Sequence, residues 1–324
     1  QLPNLLALRR LLRVARGFAP DIVYTATGTT PVGAALARRL GAAHVWHLRE
    51  LPEEQFATGY DWGRRLTYRY MARHAQRLIA NSEDVAKVFS RHLGRGDIEV
   101  VYNGFEFSGA PFLDAQAKYR QCVEGAPSIT LLVLGALSPA KDQEMAVRAC
   151  AALARRGWRL RLTLAGDGDP AYRDGLRGLA RQLGIEASLS MPGFVEDPDP
   201  LIAEAAITLV CSRNEAFGRT AVESLAAGTP VIGTRAGGLR EILEPGDLGP
   251  LVAPGDWRGL AEQIQRLLRD PASYERIAAA GPAAMRQRFS QRRYVSEVAR
   301  VLRGAYGQSD LVPAASRFVQ QTRG

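Results

Sequence analysis

The stretch that decides the fold is residues 214–223, which read Asn-Glu-Ala-Phe-Gly-Arg-Thr-Ala-Val-Glu. It follows an apolar run that ends at Cys211 and is predicted to be a buried strand. An Ala-Phe-Gly turn then leads into a predicted helix, whose free N–H groups near Gly218 attract phosphate. Glu215 is placed to accept hydrogen bonds from sugar hydroxyls, and Glu223, about two turns along the helix, to hold a second diol such as ribose. Taken alone, the two glutamates also fit ordinary solvated helix charges.

The residues that follow this stretch carry a family resemblance. Residues 224–233 read Ser-Leu-Ala-Ala-Gly-Thr-Pro-Val-Ile-Gly, and residues 236–242 read Ala-Gly-Gly-Leu-Arg-Glu-Ile. The whole passage resembles the donor-binding signature of retaining glycosyltransferases of the GT-B fold, glycosyltransferase family four (glycosyl transferases group 1). This resemblance implies an α/β fold in which two Rossmann-like domains face each other across a cleft. It also implies a nucleotide-diphosphate sugar as co-substrate and no further cofactor.

A second matching segment lies upstream, where residues 134–142 read Leu-Gly-Ala-Leu-Ser-Pro-Ala-Lys-Asp. It resembles the family's Gly-Arg-Leu loop, and the resemblance makes Lys141 the lysine that binds the donor diphosphate. Ala136 stands where the family has an arginine, so one of two expected phosphate cations is absent, and Arg213 or Arg219 is the candidate to compensate. The donor-binding set implied by the resemblance comprises Gly135, Ser138, Lys141, Glu215, Ala216, Phe217, Gly218, Arg219, Thr220 and Glu223.

The first half of the chain supplies one candidate for contact with the reacting sugar. Residues 45–50 read Val-Trp-His-Leu-Arg-Glu, and His47 lies at the end of a predicted strand. By the resemblance, His47 matches the histidine that the family places beside the sugar; the alternative is a histidine that is simply packed. The implied catalytic set is therefore His47, Lys141 and Glu215. No metal is expected, because the Asp-Pro-Asp at residues 197–199 favours a turn in a proline-bearing loop.

Apolar runs alternate with amphipathic helices along the chain, which predicts parallel sheets with helices on both faces. A polar stretch near residues 114–127 precedes a new apolar strand that begins at Ile129. We therefore expect an acceptor-side domain over residues 1–125 and a nucleotide-sugar domain over residues 126–324, whose C-terminal helix packs back on the first. Similar enzymes begin with a strand and a glycine-rich loop, whereas this chain opens at Gln1 in a helical pattern, so the first domain is expected to be truncated.

The charge balance of the chain suggests an anionic partner. The 324 residues include 42 Lys and Arg against 33 Asp and Glu, a net charge of +9, and the pI is near 9.8. Arg65, Arg69, Arg73 and Arg77 recur every four residues and are predicted to form one stripe on a helix. The stripe predicts docking on an anionic membrane surface. A solvated arginine face is the alternative, and no recognition motif accompanies the charge to indicate nucleic acid.

Composition and family resemblance together define the expected activity and compartment. Three cysteines in apolar surroundings indicate a reducing compartment, and nothing in the sequence suggests secretion. We expect a cytoplasmic enzyme, peripheral on the inner face of the membrane, that transfers a sugar to an acceptor hydroxyl of a lipid-linked or cell-envelope glycan. The transfer is expected to retain configuration and to need no metal. Two alternatives remain open: a nucleotide-sugar epimerase of the same fold, and a non-catalytic sugar-nucleotide-binding protein.

Overall fold

A computed structural model describes residues 2–51, 64–107 and 113–307. In this part of the chain, two parallel β-sheets are covered by helices on their faces. The strands are nearly continuous apolar runs, as expected where both faces of a parallel sheet are buried. Separate groups of buried side chains pack around the two sheets. The α/β architecture expected from the alternation of patterns is therefore confirmed.

The first sheet contains four parallel strands in the order β1-β2-β3-β4. Each crossover between neighbouring strands contains a helix, which is the usual connection between parallel neighbours. All four carboxyl ends therefore reach the same edge of the sheet. The elements are α1 (Leu2–Ala15), β1 (Ile22–Thr25), α2 (Val32–Leu40), β2 (Ala43–Leu48), α3 (Arg64–His74), β3 (Arg77–Ala80), α4 (Glu83–Leu93) and β4 (Ile98–Val100).

The second sheet contains six parallel strands in the order β10-β9-β8-β5-β6-β7. The chain reverses direction across the sheet between β5 and β8, and ligands of open α/β sheets bind outside the carboxyl ends at such a switch point. The strands are β5 (Ile129–Leu134), β6 (Leu160–Ala165), β7 (Leu189–Gly193), β8 (Ile207–Val210), β9 (Val231–Thr234) and β10 (Leu251–Val252). The helices are α5 (Ala115–Tyr119), α6 (Gln143–Arg155), α7 (Pro170–Gln182), α8 (Asp199–Glu204), α9 (Arg219–Ala226), α10 (Gly238–Leu243), α11 (Trp257–Arg269), α12 (Pro271–Phe289) and α13 (Gln291–Tyr306).

Two helices mark the places where the chain passes from one half to the other. Helix α13 follows the second sheet in sequence but covers one face of the first, where Val301 and Ala305 join the buried cluster around Val45. Helix α5 lies against the second sheet's helices, and Tyr119 donates a hydrogen bond to the Leu268 carbonyl at 2.8 Å. The chain therefore crosses between the halves twice, once before α5 and once before α13.

Candidate active site

The carboxyl ends of the two sheets line a cavity of about 700 Å³. The loops after β5, β6, β7 and β8 contribute to it from the second half, and the segments after β2, β3 and β4 contribute from the first. The switch point of the second sheet is therefore the place where the two halves meet. The polar and charged lining residues are Arg49, Asn81, Asn103, Lys141, Gln143, Asp167, Glu196, Ser212, Glu215, Arg219, Thr220 and Glu223.

Lys141 and Glu215 meet in this cavity although they are 74 residues apart. The Lys141 Nζ lies 2.5 Å from Glu215 Oε2, and Ser212 Oγ donates to the same oxygen at 2.8 Å. The backbone brings their loops together, because the Arg213 amide donates to the Ala140 carbonyl at 2.9 Å. Glu215 is 8% exposed, whereas the Lys141 side chain is 31% exposed, so the ion pair is shielded from water at the carboxylate and remains partly open to it at the lysine.

Helix α9 points its N-terminus into the cavity. Its first intrahelical bond is donated by Ala221 to the Gly218 carbonyl at 3.0 Å, so the amides of residues 218–220 precede the hydrogen-bonded ladder. Gly218 has a φ of 106°, a conformation that L side chains rarely adopt. Thr220, one residue inside the helix, donates through Oγ1 to the Leu134 carbonyl at 3.2 Å. The arrangement presents free amides and the positive end of the helix dipole.

Glycines allow the loop around Glu215 to lie directly against its neighbour. The Gly238 amide donates to the Glu215 carbonyl at 2.8 Å. A Cβ on Gly237 would lie 2.0 Å from that carbonyl oxygen, and a Cβ on Gly238 would lie 2.6 Å from the Phe217 oxygen. Both contacts exclude a side chain, so the Gly-Gly pair fixes the position of the glutamate loop.

The loops after β5 and β6 are joined in the same way. Gly135 donates its amide to Ala165 at 2.9 Å, and Leu137 donates to Asp167 at 2.8 Å. A Cβ on Gly166 would lie 2.0 Å from the Gly135 oxygen. Ala136 and Gly135 line the cavity. Ser138 is outside the set of residues that line the cavity. Its amide donates to Gln143 Oε1 at 3.3 Å, and its carbonyl accepts from the amide of Lys141 at 3.0 Å, so it shapes the turn that carries the lysine.

The two arginines expected to replace the missing phosphate cation are both held by carboxylates. Arg213 is salt-bridged to Asp142 at 3.1 Å. Arg219 pairs with Glu223 at 3.0 Å, and its guanidinium lies 4.8 Å from the centre of the Phe105 ring. Arg219 lines the cavity, whereas Arg213 does not.

His47 lies outside the cavity lining. It is fully buried in β2, bonded through Nδ1 to the Tyr24 hydroxyl, and its ring stacks on Tyr294 of α13 at 6.3 Å. Burial, reinforced by the nearby charge of Arg49, lowers the pKa of His47 to about 3. The imidazole is therefore neutral, and Arg49, two residues further on, lines the cavity in its place.

Sequence reasoning did not select three residues that the first half contributes to the cavity, namely Arg49, Asn81 and Asn103. The Arg49 guanidinium donates to Asn103 Oδ1 at 3.1 Å, and Asn81 Nδ2 donates to the Arg49 carbonyl at 3.1 Å. All three come directly after strands or close to a strand end. The sequence pattern that predicts them is the presence of polar residues at the carboxyl ends of neighbouring parallel strands.

Direct contacts join the two halves beside the cavity. Ser82 caps α4 by accepting from Val85 and donates its hydroxyl to the Ala216 carbonyl at 2.6 Å. The Glu241 carboxylate of α10 accepts from the amides of Glu83 and Asp84 at 2.9 and 3.0 Å. The N-terminus of α4 is therefore tied both to the glutamate loop and to α10.

The basic stripe is shorter than predicted. Helix α3 ends at His74, and Arg77 opens strand β3, where its guanidinium approaches α13 at Gly304. The four-residue spacing therefore runs past the end of the helix. Arg65, Arg69 and Arg73 are exposed on α3, and they line a second cavity of about 560 Å³ beside His92.

In residues 2–51, 64–107 and 113–307, no group of three or more His, Cys, Asp or Glu side chains is arranged to hold a metal ion. Asp197 accepts the Asp199 amide at 3.1 Å, which is the turn expected for the Asp-Pro-Asp stretch. The same ranges contain no helix with the length and apolar character needed to cross a membrane. The three cysteines are buried free thiols.

The sequence matches two families, one in each half. Residues 120–284, just over half of the chain, match Glycosyl transferases group 1, and residues 1–108 match Glycosyltransferase Family 4. The D-inositol 3-phosphate glycosyltransferase of Nocardiopsis dassonvillei is 34% identical over 231 residues, covering 65% of this chain and 52% of that protein. The lipopolysaccharide core biosynthesis glycosyltransferase LpsE of Rhizobium meliloti is 33% identical over 130 residues, covering 40% of this chain and 38% of that protein. The chain spans about half the length of the inositol-phosphate enzymes that it matches.

Solved structures share the architecture. Anabaena Alr3699/HepE, in complex with UDP and glucose, superposes with a TM-score of 0.80 at 27% identity, over 91% of this chain and 80% of that one. The family match covers the loops that carry Lys141, Glu215 and Glu223, and the structural match covers both sheets. The chain therefore belongs to glycosyl transferases group 1 of glycosyltransferase family four, and its two parallel sheets are the two halves of the GT-B fold.

Proposed function

We propose that this protein is a retaining glycosyltransferase that moves a sugar from a nucleoside diphosphate sugar to an acceptor hydroxyl. The observation that carries the proposal is the pairing of Lys141 with Glu215 beside the N-terminus of α9, in the cavity between the sheets. A cation with free amides suits a diphosphate, and a buried carboxylate suits sugar hydroxyls. The HepE structures with UDP and with UDP-glucose support a donor of this class.

In the proposed reaction, the bond between the anomeric carbon and the diphosphate oxygen breaks, and the acceptor oxygen bonds to the same carbon. Negative charge develops on the departing diphosphate. Lys141 and the amides of residues 218–220 stabilise that charge, and they act most strongly in the transition state, where it grows. The departing phosphate takes the acceptor proton. The proposal therefore assigns no protein base and requires neither a metal nor a cofactor.

The two glutamates have different roles in this proposal. Lys141 and Ser212 both bond Oε2 of Glu215, so Oε1 remains to accept a hydroxyl of the sugar and orient its anomeric carbon. Glu223 lies on α9 at the border of the cavity and holds the ribose diol. Arg219, which is stacked over the Phe105 ring, pairs with the Glu223 carboxylate at 3.0 Å and fixes its direction.

A donor panel tests the proposed activity. We expect the protein to release nucleoside diphosphate from one of UDP-, GDP- and ADP-sugars, and NMR of the product to show the donor's anomeric configuration. Chelator is expected to leave the rate unchanged. Glu215→Gln is expected to lower kcat, whereas Arg181→Gln, at an exposed pair with Glu186, serves as the matched control. A product that is the epimerised donor, or binding without turnover, would contradict the proposal.

The proposed acceptor is a lipid-linked or cell-envelope glycan, which the enzyme reaches from the cytoplasmic face of the membrane. The name of LpsE, lipopolysaccharide core biosynthesis, supports an envelope glycan. The exposed arginines of α3, namely Arg65, Arg69 and Arg73, support a surface for anionic headgroups. Sedimentation with phosphatidylglycerol vesicles is expected to capture the protein, and replacing these three arginines with glutamine is expected to reduce capture. Equal behaviour with phosphatidylcholine vesicles would refute the membrane part of the proposal.

A further inference from the structure

The basic residues that line the cavity differ in how their charge is balanced. In the described part of the chain they are Arg49, Lys141 and Arg219. Lys141 is paired with Glu215, and Arg219 with Glu223. Among the described residues, no carboxylate lies within salt-bridge distance of the Arg49 guanidinium. The first half of the chain thus contributes to the cavity a cation for which the described residues supply no ion pair.

Arg49 is nevertheless held in place. Its Nη2 donates to Asn103 Oδ1 at 3.1 Å, and its carbonyl accepts from Asn81 Nδ2 at 3.1 Å. The two asparagines are only 4% and 2% exposed, so both anchors are rigid parts of the sheet edge. An amide oxygen is a neutral acceptor and leaves the guanidinium charge unbalanced. Arg49 is therefore preorganised for an anion that comes from outside the described chain.

The charge of Arg49 acts on its neighbours. It adds to burial in lowering the pKa of His47, and it opposes the rise in pKa that burial gives Tyr24. Both effects show that Arg49 contributes a positive field at the carboxyl end of β2. An anion in the adjacent cavity would be attracted by this field, because a partly dry cleft screens charge less than water does.

Asn81 supplies a second polar group that lacks a partner. Its Oδ1 is buried and accepts no hydrogen bond from the described residues, and the residue lines the cavity. A buried acceptor that is left unpaired is costly, so a ligand that donates a hydrogen bond here gains affinity. Arg49 and Asn81 together match an oxyanion next to a hydroxyl, which is the chemistry of a phosphorylated sugar or polyol.

We propose that Arg49 is a second phosphate-binding cation of the cleft, supplied by the first half of the chain because Ala136 cannot supply one, and that Asn81 accepts a hydroxyl of the same ligand. This inference rests on the proposed function. The phosphate comes either from the donor diphosphate or from a phosphorylated acceptor. Both sources present the same chemistry to Arg49, and a titration separates them.

The test uses calorimetric titration of UDP, with GDP and ADP in parallel, into the wild type and Arg49→Gln. If Arg49 binds the donor diphosphate, Arg49→Gln lowers the affinity for whichever nucleoside diphosphate the wild type binds by about 10-fold or more. The affinity for the corresponding monophosphate falls much less. If it binds an acceptor phosphate, nucleotide affinity is unchanged, but inorganic phosphate titrated into the nucleotide-saturated protein binds the wild type and not Arg49→Gln. Arg181→Gln, which removes an exposed arginine elsewhere, should match the wild type in both arms.

A second variant keeps Arg49 itself. Asn103→Asp places a carboxylate at the position of the oxygen that the Arg49 guanidinium already contacts, so it balances the guanidinium charge without removing the arginine. It should weaken phosphate binding in whichever titration Arg49→Gln does. Unfolding midpoints confirm that the variants are folded. Equal affinity of the wild type, Arg49→Gln and Asn103→Asp for nucleoside diphosphate and for phosphate would overturn the inference. That outcome is distinct from failure of the proposed function, in which the wild type consumes no donor.

Discussion

The two edges of the cavity hold their cations in different ways. On the second-sheet edge, Lys141 lies 2.5 Å from Glu215, and Arg219 lies 3.0 Å from Glu223, so each cation has a carboxylate within its own half. On the first-sheet edge, Arg49 is held by an asparagine oxygen at 3.1 Å, a neutral partner. In the first arrangement each cation has an ion pair among the described residues, whereas in the second the Arg49 guanidinium has none.

The backbone shows the same contrast. The second-sheet edge depends on glycines, since a Cβ on Gly166 or Gly237 would lie 2.0 Å from a carbonyl oxygen of the neighbouring loop. The first-sheet edge depends instead on the buried side chains of Asn81, after β3, and Asn103, after β4, which both bond to Arg49 after β2. The second-sheet edge, to which the proposed function assigns the donor and which is called the donor edge below, is thus fixed by close backbone contact and internal ion pairs. The opposite edge is fixed by amide hydrogen bonds and relies on its ligand for charge balance.

Removing the donor-edge cation is expected to have the largest effect. Lys141→Gln removes the positive charge from the place where the leaving diphosphate gains negative charge, and it leaves the buried Glu215 without its cation. By analogy with the loss of one preorganised donor, kcat should fall by about 100- to 1000-fold. Steady-state kinetics with the active donor measure this, with Arg181→Gln as the control. A change confined to KM would mean that Lys141 binds the ground state and transition state equally.

A side chain at Gly237 should disrupt the donor edge through the backbone alone. Gly237→Ala would place a Cβ against the Glu215 carbonyl at 2.0 Å, at a φ of 52°. We expect a loss of about 2–4 kcal/mol in unfolding free energy from strain and overpacking, together with weaker nucleotide binding. Gly255→Ala is the matched control, because its φ is 78° but no atom lies within 4 Å of the new Cβ. Equal losses in urea unfolding would show that the φ angle, and not the contact, sets the cost.

The fold could be predicted from the sequence where a simple pattern survives in the structure. Strand β5 is a mostly apolar run between Ser128 and Gly135, and such runs alternating with amphipathic helices indicate parallel sheets. Strand β10 cannot be predicted in this way, because its two residues, Leu251 and Val252, are too few to show any periodicity. Arg77 was placed on a helix because its spacing continues that of α3, although a helical period has no meaning beyond His74, where the helix ends.

The site could be predicted only on the edge that the sequence marks with glycines and glutamates. Lys141 and Glu215 lie in motifs with recognisable spacing, and they meet in the structure. Arg49 follows His47 by two residues, yet one lines the cavity and the other is buried against Tyr294. The direction of a side chain at a strand end depends on where pairing stops and what covers the face. Those are tertiary properties that local sequence does not encode.

The buried histidine of the first half should reveal itself as a pH-dependent loss of stability. Burial, and the charge of Arg49, lower the pKa of His47 from 6.5 to about 3. Because the pKa is depressed in the folded state, the contribution of His47 to the free energy of unfolding is fully present above pH 6.5. That contribution falls as the pH falls toward 3. Its slope is at most about 1.4 kcal/mol per pH unit. His47→Gln should flatten the acid side of the stability curve in urea unfolding between pH 6.5 and 4.5, and an unchanged slope would show that another group, such as His44, dominates.

The contact between α10 and α4 should show a pH dependence of its own, with a smaller amplitude. Burial raises the pKa of Glu241, although the amides of Glu83 and Asp84 and the Tyr102 hydroxyl counteract part of the rise. When the pKa of an acid is raised in the folded state, its contribution to the free energy of unfolding is greatest at low pH. That contribution falls as the pH rises through the pKa of the folded state. The stability advantage of the wild type over Glu241→Gln should therefore shrink from pH 4.5 to pH 7 in urea unfolding. Glu262→Gln, at an exposed position of α11, should show no such trend. A stability advantage that grows with pH would contradict this prediction. It would mean that the two amides, together with Arg288, which donates to the Glu241 carbonyl, favour the ionised carboxylate more than burial disfavours it. The ionised form would then stabilise the contact between α10 and α4.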